Sequence, residues 1–250
     1  MKRELQMKRL TSLTAAIILS ACGGGGGDGP AVNAVSQSAE GFWVGTTANG
    51  TAVNLAVLEN GETWGLYGTS TSVVGALYGN STVSGSTLSG SGTGFNFVTH
   101  LAGNGTYTGS VTSKANISIS VSDGTQFSGT YDAGYDQPAS ITSFAGTYTG
   151  LAVTGAIAPQ ASTVVIDTNG NVSSSYVSGN LSCMTTGTAT PRPSGKNVVN
   201  LQLTFTGNSC ALGNGTTVTG VATYNPTSRQ VIAMGLNAGK TDGLLFIGAK

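Results

Sequence analysis

The chain has 250 residues but few charges, since Lys, Arg, Asp and Glu make up only 8% of it, against about a quarter in typical soluble proteins. Its ten basic and ten acidic residues cancel and form no basic cluster, which argues against a nucleic-acid partner. The 39 glycines are interspersed with regularly spaced Val, Ile, Leu and aromatic residues, which argues against disorder. This composition indicates an all-β protein with short strands and many turns.

Residues 1–21 have the order of a secretory signal peptide. Two basic residues, Lys8 and Arg9, precede an apolar stretch that is too short to span a bilayer, and small residues follow it. A start at Met7 suits this segment as well as a start at Met1. Removal of the segment leaves nine acidic and six basic residues, a net of three negative charges.

Cys22 follows Leu19, Ser20 and Ala21, and these four residues resemble the lipobox of bacterial lipoproteins. The resemblance implies that Cys22 becomes the mature N-terminus, carries palmitate-type acyl chains and contacts the membrane through them. Gly23 stands where an aspartate would be a retention signal, so the implied location is the bacterial outer membrane, on its periplasmic or surface side. Several acyl chains give stable anchoring where one chain is marginal.

Residues 22–39 predict a tether that carries the lipidated cysteine. An uninterrupted run of five glycines at 23–27 is followed by small and polar residues, which is typical of a flexible coil. Gly24, Gly26 and Gly29 fit the spacing of a dinucleotide-binding fingerprint. Because no strand precedes them and no helix follows, these glycines do not indicate a nucleotide site. We predict no cofactor for this chain.

Residues 40–137 form the first predicted β unit. Val53, Leu55 and Val57 alternate with small or polar residues, as in a strand with one buried face. Asn60-Gly61 then predicts a two-residue hairpin loop in which both residues have positive φ. Eight strands are expected in this unit, at residues 41–47, 51–58, 62–67, 72–78, 86–97, 105–113, 115–121 and 125–131.

Residues 138–250 form a second unit in which the pattern restarts. Residues 41–45 (Gly-Phe-Trp-Val-Gly) correspond to residues 146–150 (Gly-Thr-Tyr-Thr-Gly), and Asn169-Gly170 repeats the first turn, so we interpret the chain as a diverged tandem repeat. Eight more strands are expected, at residues 144–153, 162–167, 171–177, 180–186, 197–206, 216–224, 230–237 and 243–249.

The predicted fold is all-β, with two tandem antiparallel units of about eight short strands each. Sequential hairpins favour up-and-down β-barrels, because closure removes exposed strand edges. For the first unit, an open sheet is the main alternative, since its many glycines weaken closure. A transmembrane barrel is not expected, because its strands need about nine to eleven residues and a lipid-facing apolar band.

Cys183 and Cys210 are predicted to form a disulfide, because they remain as an even pair in an oxidising compartment once Cys22 is lipidated. A redox or metal-binding pair is the competing interpretation, but it lacks a CxxC motif and a nearby histidine. The interior of the second unit is expected to hold ten apolar side chains: Val164, Ile166, Val199, Leu201, Leu203, Phe205, Val218, Ile232, Leu244 and Phe246.

The chain contains no catalytic constellation and no metal motif, so we predict that it is not an enzyme. His100 is the single histidine, and no Gly-x-Ser-x-Gly sequence occurs. Asp132 and Asp136 could bind calcium or flank a glycosidic bond, but we expect them to stabilise a turn. Asp167 is likewise expected in a hairpin turn rather than in a calcium loop.

Five aromatic residues of the first unit form either its core or an exposed recognition patch, and core is the favoured interpretation. They are Trp43, Trp64, Tyr67, Tyr78 and Tyr107.

Gly41, Phe42 and Trp43 match the Gly-x-Trp that opens the first strand of lipocalin- and avidin-like barrels. The lipobox, glycine tether and two β units together resemble the surface lipoproteins of the transferrin-binding protein B and factor H-binding protein group. That resemblance implies non-enzymatic binding of a host or environmental protein or glycan, although no receptor-contacting motif matches.

Three alternatives to macromolecule binding remain. The first is a lipocalin-like carrier, for which the small residues of the first unit would leave room for an apolar ligand in a cavity above about 300 Å³. The second is a purely structural envelope lipoprotein. The third, an envelope glycosidase, would require Asp132, Asp136 or Glu62 to converge in a cleft.

Overall fold

The computed structural model describes residues 36–69, 72–154 and 157–250. The predicted signal peptide, Cys22 and most of the predicted tether lie outside the described residues. Within the described ranges, no helix is both long enough and apolar enough to cross a membrane.

The first eight strands form a closed antiparallel barrel, in which each strand pairs with the next and the first pairs with the eighth. The alternative of an open sheet for the first unit is therefore wrong. The strands are β1 (Gly41–Thr47), β2 (Ala52–Val57), β3 (Glu62–Gly68), β4 (Val73–Ser84), β5 (Thr87–Asn96), β6 (Leu101–Thr112), β7 (Asn116–Val121) and β8 (Gln126–Asp132).

A 3₁₀ turn (Ala133–Asp136) and a one-turn helix, α1 (Ile141–Phe144), lead into a second closed barrel of the same topology. The predicted all-β fold with two tandem eight-stranded barrels is thus confirmed. The strands are β9 (Gly146–Thr154), β10 (Ile157–Ile166), β11 (Asn171–Ser178), β12 (Leu181–Pro191), β13 (Val199–Thr206), β14 (Thr217–Asn225), β15 (Gln230–Asn237) and β16 (Gly243–Ala249).

Trp43 and Tyr148 occupy equivalent places at the start of the two barrels. Both side chains are completely buried. The Trp43 Nε1–H donates to the Ala39 carbonyl oxygen at 2.8 Å, and the Tyr148 hydroxyl donates to the Phe144 carbonyl oxygen at 2.6 Å. Each aromatic side chain therefore fills one end of its barrel and donates a hydrogen bond to the carbonyl of the residue four positions earlier, as expected for a structural repeat.

The predicted hairpin turns at Asn60-Gly61 and Asn169-Gly170 are longer than expected. In the first turn the Gly61 N–H donates to the Leu58 carbonyl and the Leu58 N–H donates to the Glu62 carbonyl, so the loop has three residues. In this turn only Gly61 has a positive φ, at 82°. A type I turn followed by a glycine bulge replaces the two-residue loop, because Asn60 then keeps an ordinary φ.

Aromatic rings cover glycines inside the first barrel. The Tyr67 ring occupies the space that a Cβ on Gly75 would need, and the Tyr107 ring does the same for Gly90. These glycines therefore allow closure around large side chains instead of leaving room for a ligand. The buried core of this barrel contains Ala39, Trp43, Val53, Leu55, Val57, Leu88, Val111, Ile117, Ile119 and Phe127.

Aliphatic and aromatic side chains fill the second barrel, and nine of the ten predicted interior residues lie in its core cluster. The exception is Ile232, which points outward and packs between the barrels. The predicted Cys183–Cys210 disulfide is confirmed, and it links β12 to the loop after β13. A crosslink over this separation stabilises a fold by about 3–4 kcal/mol on the chain-entropy model.

A third apolar cluster joins the outer faces of the two barrels. Strands β3, β15 and β16 carry large apolar residues on both faces, as expected for sheets that are covered on both sides. The buried members of this cluster are Ala56, Leu58, Trp64, Leu66, Phe95, Tyr135, Val153, Val198, Val221, Met234, Leu236 and Leu245.

Candidate functional site

A cleft of about 400 Å³ lies beside this apolar cluster, where the outer faces of the two barrels meet. One wall comes from β3 and β4 of the first barrel. The other comes from β12, β13 and β14 and from the loop that follows β15 in the second barrel. The cleft exists only because the barrels pack side by side, so neither barrel alone would form it.

The floor of the cleft is aromatic. Trp64 and Tyr78 meet edge to face, with ring centroids 4.7 Å apart. Trp64 is 3% exposed, and its Nε1–H donates to Oε1 of Glu62 at 3.1 Å. Tyr78 is partly exposed, with the Lys240 Nζ 4.4 Å from its ring centroid and 2.8 Å from its hydroxyl oxygen. The floor thus combines the aromatic rings of Trp64 and Tyr78 with the positive charge of Lys240.

The opposite wall is a ladder of hydroxyl and amide groups. Gln202 pairs with Thr188 on one side and with Thr219 on the other, so the three side chains form a row across β12, β13 and β14. All three are exposed, and within the described part of the chain their side chains make no hydrogen bond. Their donors and acceptors are therefore available to a ligand.

Arg192 closes one end of the cleft and links the two barrels. Its side chain is 9% exposed, and its Nη2 lies 2.6 Å from Oε1 of Glu59. Its Nη1 donates to Oδ1 of Asn200 at 2.6 Å and lies 4.0 Å from Oε2 of Glu62. Burial of the Glu59 carboxyl raises its pKa, but the hydrogen bonds and charge of Arg192 outweigh burial, so the pKa lies below its ordinary value.

Asp132 and Asp136 lie away from this cleft, in the connection between the barrels. Asp132 accepts a hydrogen bond from the Gly134 N–H at 2.8 Å and so caps the 3₁₀ turn. Lys114 and Lys196 each approach the Asp136 carboxylate to 2.8 Å. Their hydrogen bonds hold the pKa of Asp136 far below its ordinary value. The pair therefore stabilises a turn and the barrel junction.

The remaining predicted polar sites also lie in turns. Asp167 accepts hydrogen bonds from the backbone N–H groups of Asn169 and Asn171, at 2.8 and 2.9 Å. His100 lies in the turn between β5 and β6 with a φ of 56°. In the ranges that the structure describes, no group of three or more His, Cys, Asp or Glu side chains could hold a metal ion.

The structure separates the five aromatic residues of the first unit into two groups. Trp43, Tyr67 and Tyr107 lie inside the first barrel, whereas Trp64 and Tyr78 lie between the barrels and form the cleft floor. Sequence reasoning missed Arg192 and Lys240 at the cleft. For Arg192 a signal existed, because the stretch 191–196 (Pro-Arg-Pro-Ser-Gly-Lys) holds two of the six basic residues that follow residue 21.

The comparisons with known proteins add no assignment to this site. The chain matches no family model, no curated protein and no solved structure.

Proposed function

We propose that this chain is a lipid-anchored protein of the bacterial outer membrane that binds a macromolecule without catalysis. The lipobox-like sequence that ends at Cys22 supports the anchor. The cleft between the barrels supports the binding role, and its chemistry favours a glycan as the ligand.

The observation that carries the choice of a glycan is the pairing of an aromatic floor with a wall of exposed hydroxyl and amide groups. Sugars present hydroxyls that both donate and accept, which matches Thr188, Gln202 and Thr219. They also present apolar C–H surfaces, which can pack against the partly exposed ring of Tyr78, and Trp64 supports that ring from the floor of the cleft. A site with mostly polar walls and a few aromatic contacts suits such a ligand better than it suits an apolar one.

Two further observations favour binding at the cleft over the alternatives. Core side chains pack inside both barrels, and the rings of Tyr67 and Tyr107 occupy space that a lipocalin-like carrier would need for its ligand. Among the described cleft residues, Glu62 provides the one carboxylate, and it already accepts a hydrogen bond from Trp64. Glycoside hydrolysis generally needs two carboxyl groups about 5–10 Å apart across the scissile bond.

A glycan array probed with the detergent-solubilised lipoprotein tests the binding role, followed by calorimetry with the polysaccharides that bind. We expect Tyr78→Ala and Gln202→Ala each to weaken binding by at least about ten-fold, because each removes a contact from the cleft centre. Tyr176→Ala is the matched control, since this tyrosine is 50% exposed on β11 and does not line the cleft. Wild-type protein that binds no polysaccharide, or a Tyr78→Ala variant that binds as wild type, would refute the proposal.

Mass spectrometry of the protein purified from bacterial membranes tests the anchor separately. We expect residues 1–21 to be absent and Cys22 to carry acyl chains. The Cys22→Ala variant should lose its membrane association, and protease treatment of intact cells then distinguishes surface exposure from a periplasmic location. A mature protein that retains residues 1–21 would overturn the anchor without affecting the glycan test.

A further inference from the structure

Strand β6 extends beyond the end of β7, the strand that pairs with one of its two edges. Strand β6 pairs with β5 over residues 101–110, but it pairs with β7 only over residues 107–112. At the step, the Ser122 N–H donates to the Thr106 carbonyl at 2.9 Å, and the Ser122 Oγ accepts from the Thr106 N–H at 3.2 Å. Residues 101–105 therefore form an overhang that, in the described structure, has a neighbouring strand on one side only.

Among the residues that the structure describes, the backbone groups along one edge of the overhang have no strand partner. In an antiparallel strand, successive residues direct their N–H and C=O groups to opposite sides. Val111 bonds towards β5 through the Ser86 carbonyl, and Thr106 bonds towards β7 through Ser122. By this alternation, Ala102 and Asn104 direct their N–H and C=O groups away from β5, to the side on which the described residues place no strand.

The sequence does not protect this edge in the usual way. Natural sheet edges are commonly blocked by charged residues, proline or bulges. Residues 87–112 contain no Lys, Arg, Asp, Glu or Pro. In the second barrel, by contrast, β10 carries Pro159 and an irregularity between Ile157 and Gln160, and the Ser174 hydroxyl caps the Thr163 carbonyl at 2.7 Å.

The inner face of the overhang also lacks the aromatic cover found elsewhere in this barrel. Where the wall is complete, Tyr67 covers Gly75 and Tyr107 covers Gly90, in each case from the neighbouring strand. Apart from its chain neighbours, no described residue has an atom within 4 Å of the Cβ position of Gly103, and at Gly94 the nearest such atom is the Gly103 carbonyl oxygen at 4.0 Å. A strand added beside β6 could supply the missing ring.

We infer that the overhang of β6 is a strand-addition site for an extended segment of a partner protein that carries an aromatic side chain over Gly103. The backbone of the segment would pair with Ala102 and Asn104 and would continue the barrel wall beyond β7. The cleft of about 470 Å³ beside Ser122 and Asn104 would take its outward side chains. This site is separate from the cleft between the barrels.

The observations favour a partner segment over the two other occupants. Two overhangs paired with each other would leave Gly103 uncovered, because residues 101–105 contain no aromatic residue, and pairing along five residues buries far less than the roughly 1,000 Å² of a stable dimer. The chain's own N-terminal part is less suited, because residues 1–35 contain no aromatic residue that could cover Gly103.

Titration of the intact protein with a designed peptide, acetyl-Thr-Val-Thr-Tyr-Thr-Val-Thr-amide, tests the inference. We expect the amide resonances of Ala102 and Asn104 to shift in two-dimensional NMR spectra. Replacing the peptide's tyrosine with alanine, or methylating alternate peptide nitrogens, should weaken binding by at least about ten-fold.

Two protein variants separate edge pairing from aromatic cover. Asn104→Pro removes an N–H from the edge that faces away from β5, and Gly103→Phe fills the uncovered space; each should weaken peptide binding by at least about ten-fold. Asn104→Ala keeps the N–H and should bind as wild type, as should Tyr78→Ala, whose side chain belongs to the other cleft. Circular dichroism verifies that each variant folds.

Three results would overturn the inference. They are wild-type protein that shows no shifts at Ala102 and Asn104, an Asn104→Pro variant that binds the peptide as tightly as wild type does, and self-association that Asn104→Pro abolishes. The last result would show that a second copy occupies the edge.

Discussion

The two barrels share one topology but reach closure with different side chains. The first barrel places rings over glycines, as Tyr67 does over Gly75, and its β6 extends past β7. The second barrel packs aliphatic and aromatic side chains and ties β12 to the following loop through the Cys183–Cys210 disulfide. The difference teaches that glycine-rich strands can close a barrel when neighbouring aromatic residues supply the missing volume.

The equivalent buried aromatics provide the strongest test of this comparison. Trp43→Ala should lower the free energy of unfolding by about 3–5 kcal/mol, because it empties the bottom of the first barrel. Tyr148→Phe should cost only about 1 kcal/mol, since it removes one buried hydrogen bond and little volume. Urea unfolding followed by circular dichroism measures both. A Trp43→Ala variant within about 1 kcal/mol of wild type would show that this ring is not a core element.

The disulfide should stabilise the second barrel selectively. Replacing both Cys183 and Cys210 with serine is expected to lower its stability by about 3 kcal/mol, because the unfolded chain then regains its loop entropy. Trp43 lies inside the first barrel and Trp64 lies between the barrels, so in a Trp64→Phe background the fluorescence of Trp43 reports on the first barrel. A fluorescence transition that shifts as much as the whole-protein circular dichroism transition would contradict selectivity and would show that the barrels unfold together.

Glycines under rings should respond to substitution differently from uncovered ones. Gly75→Ala is expected to cost about 1–3 kcal/mol, because the added methyl group collides with the Tyr67 ring and with the Phe95 carbonyl oxygen. Gly103→Ala, the matched control, should change stability by less than about 0.5 kcal/mol, since the space at its Cβ is open. Thermal unfolding of both variants gives the comparison. Equal costs at the two positions would mean that backbone effects, and not the ring, explain the role of Gly75.

The smallest effect concerns the junction between the barrels. Hydrogen bonds from Lys114 and Lys196 lower the pKa of Asp136, so its ionised form stabilises the folded state. This contribution is fully present above the ordinary pKa of an aspartate and is lost as the pH falls through the lower folded-state pKa. Because the group is partly exposed, we expect at most about 1 kcal/mol. The stability difference between wild type and Asp136→Asn should be constant above about pH 5 and shrink below pH 4. A difference that does not change with pH would contradict this assignment.

Much of the fold could be predicted, because local pattern and local structure agree. Alternation such as that of Val53, Leu55 and Val57 located the strands, and the two predicted strands at 230–237 and 243–249 coincide with β15 and β16. Strands β4, β6, β10 and β12 were predicted too short, since the missed segments (79–84, 101–104, 157–161 and 187–191) show no regular apolar alternation. The helix α1 was also missed, because four residues are too few to show a helical period.

The candidate site was harder to predict than the fold. Trp64 and Tyr78 were singled out, but sequence alone could not separate them from core residues such as Trp43. A signal was present in the continuous apolar run at residues 244–247 (Leu-Leu-Phe-Ile), which indicates a strand buried on both faces. This apolar run did not show what covers the outer face of the strand, because the cover depends on how one barrel packs against the other.

The sequence by itself determined the all-β class, the two-unit repeat, the disulfide pair and the lipobox-like N-terminus, because each is written in local patterns and spacings. The tertiary structure alone decided that both units close, that Arg192 meets Glu59 across the barrels and that a polar cleft forms above Trp64 and Tyr78. It also decided that β6 extends past β7 and has an edge without a strand partner in the described structure. These features arise from contacts between residues more than 100 positions apart, or from strand register around a whole barrel, neither of which leaves a local signature.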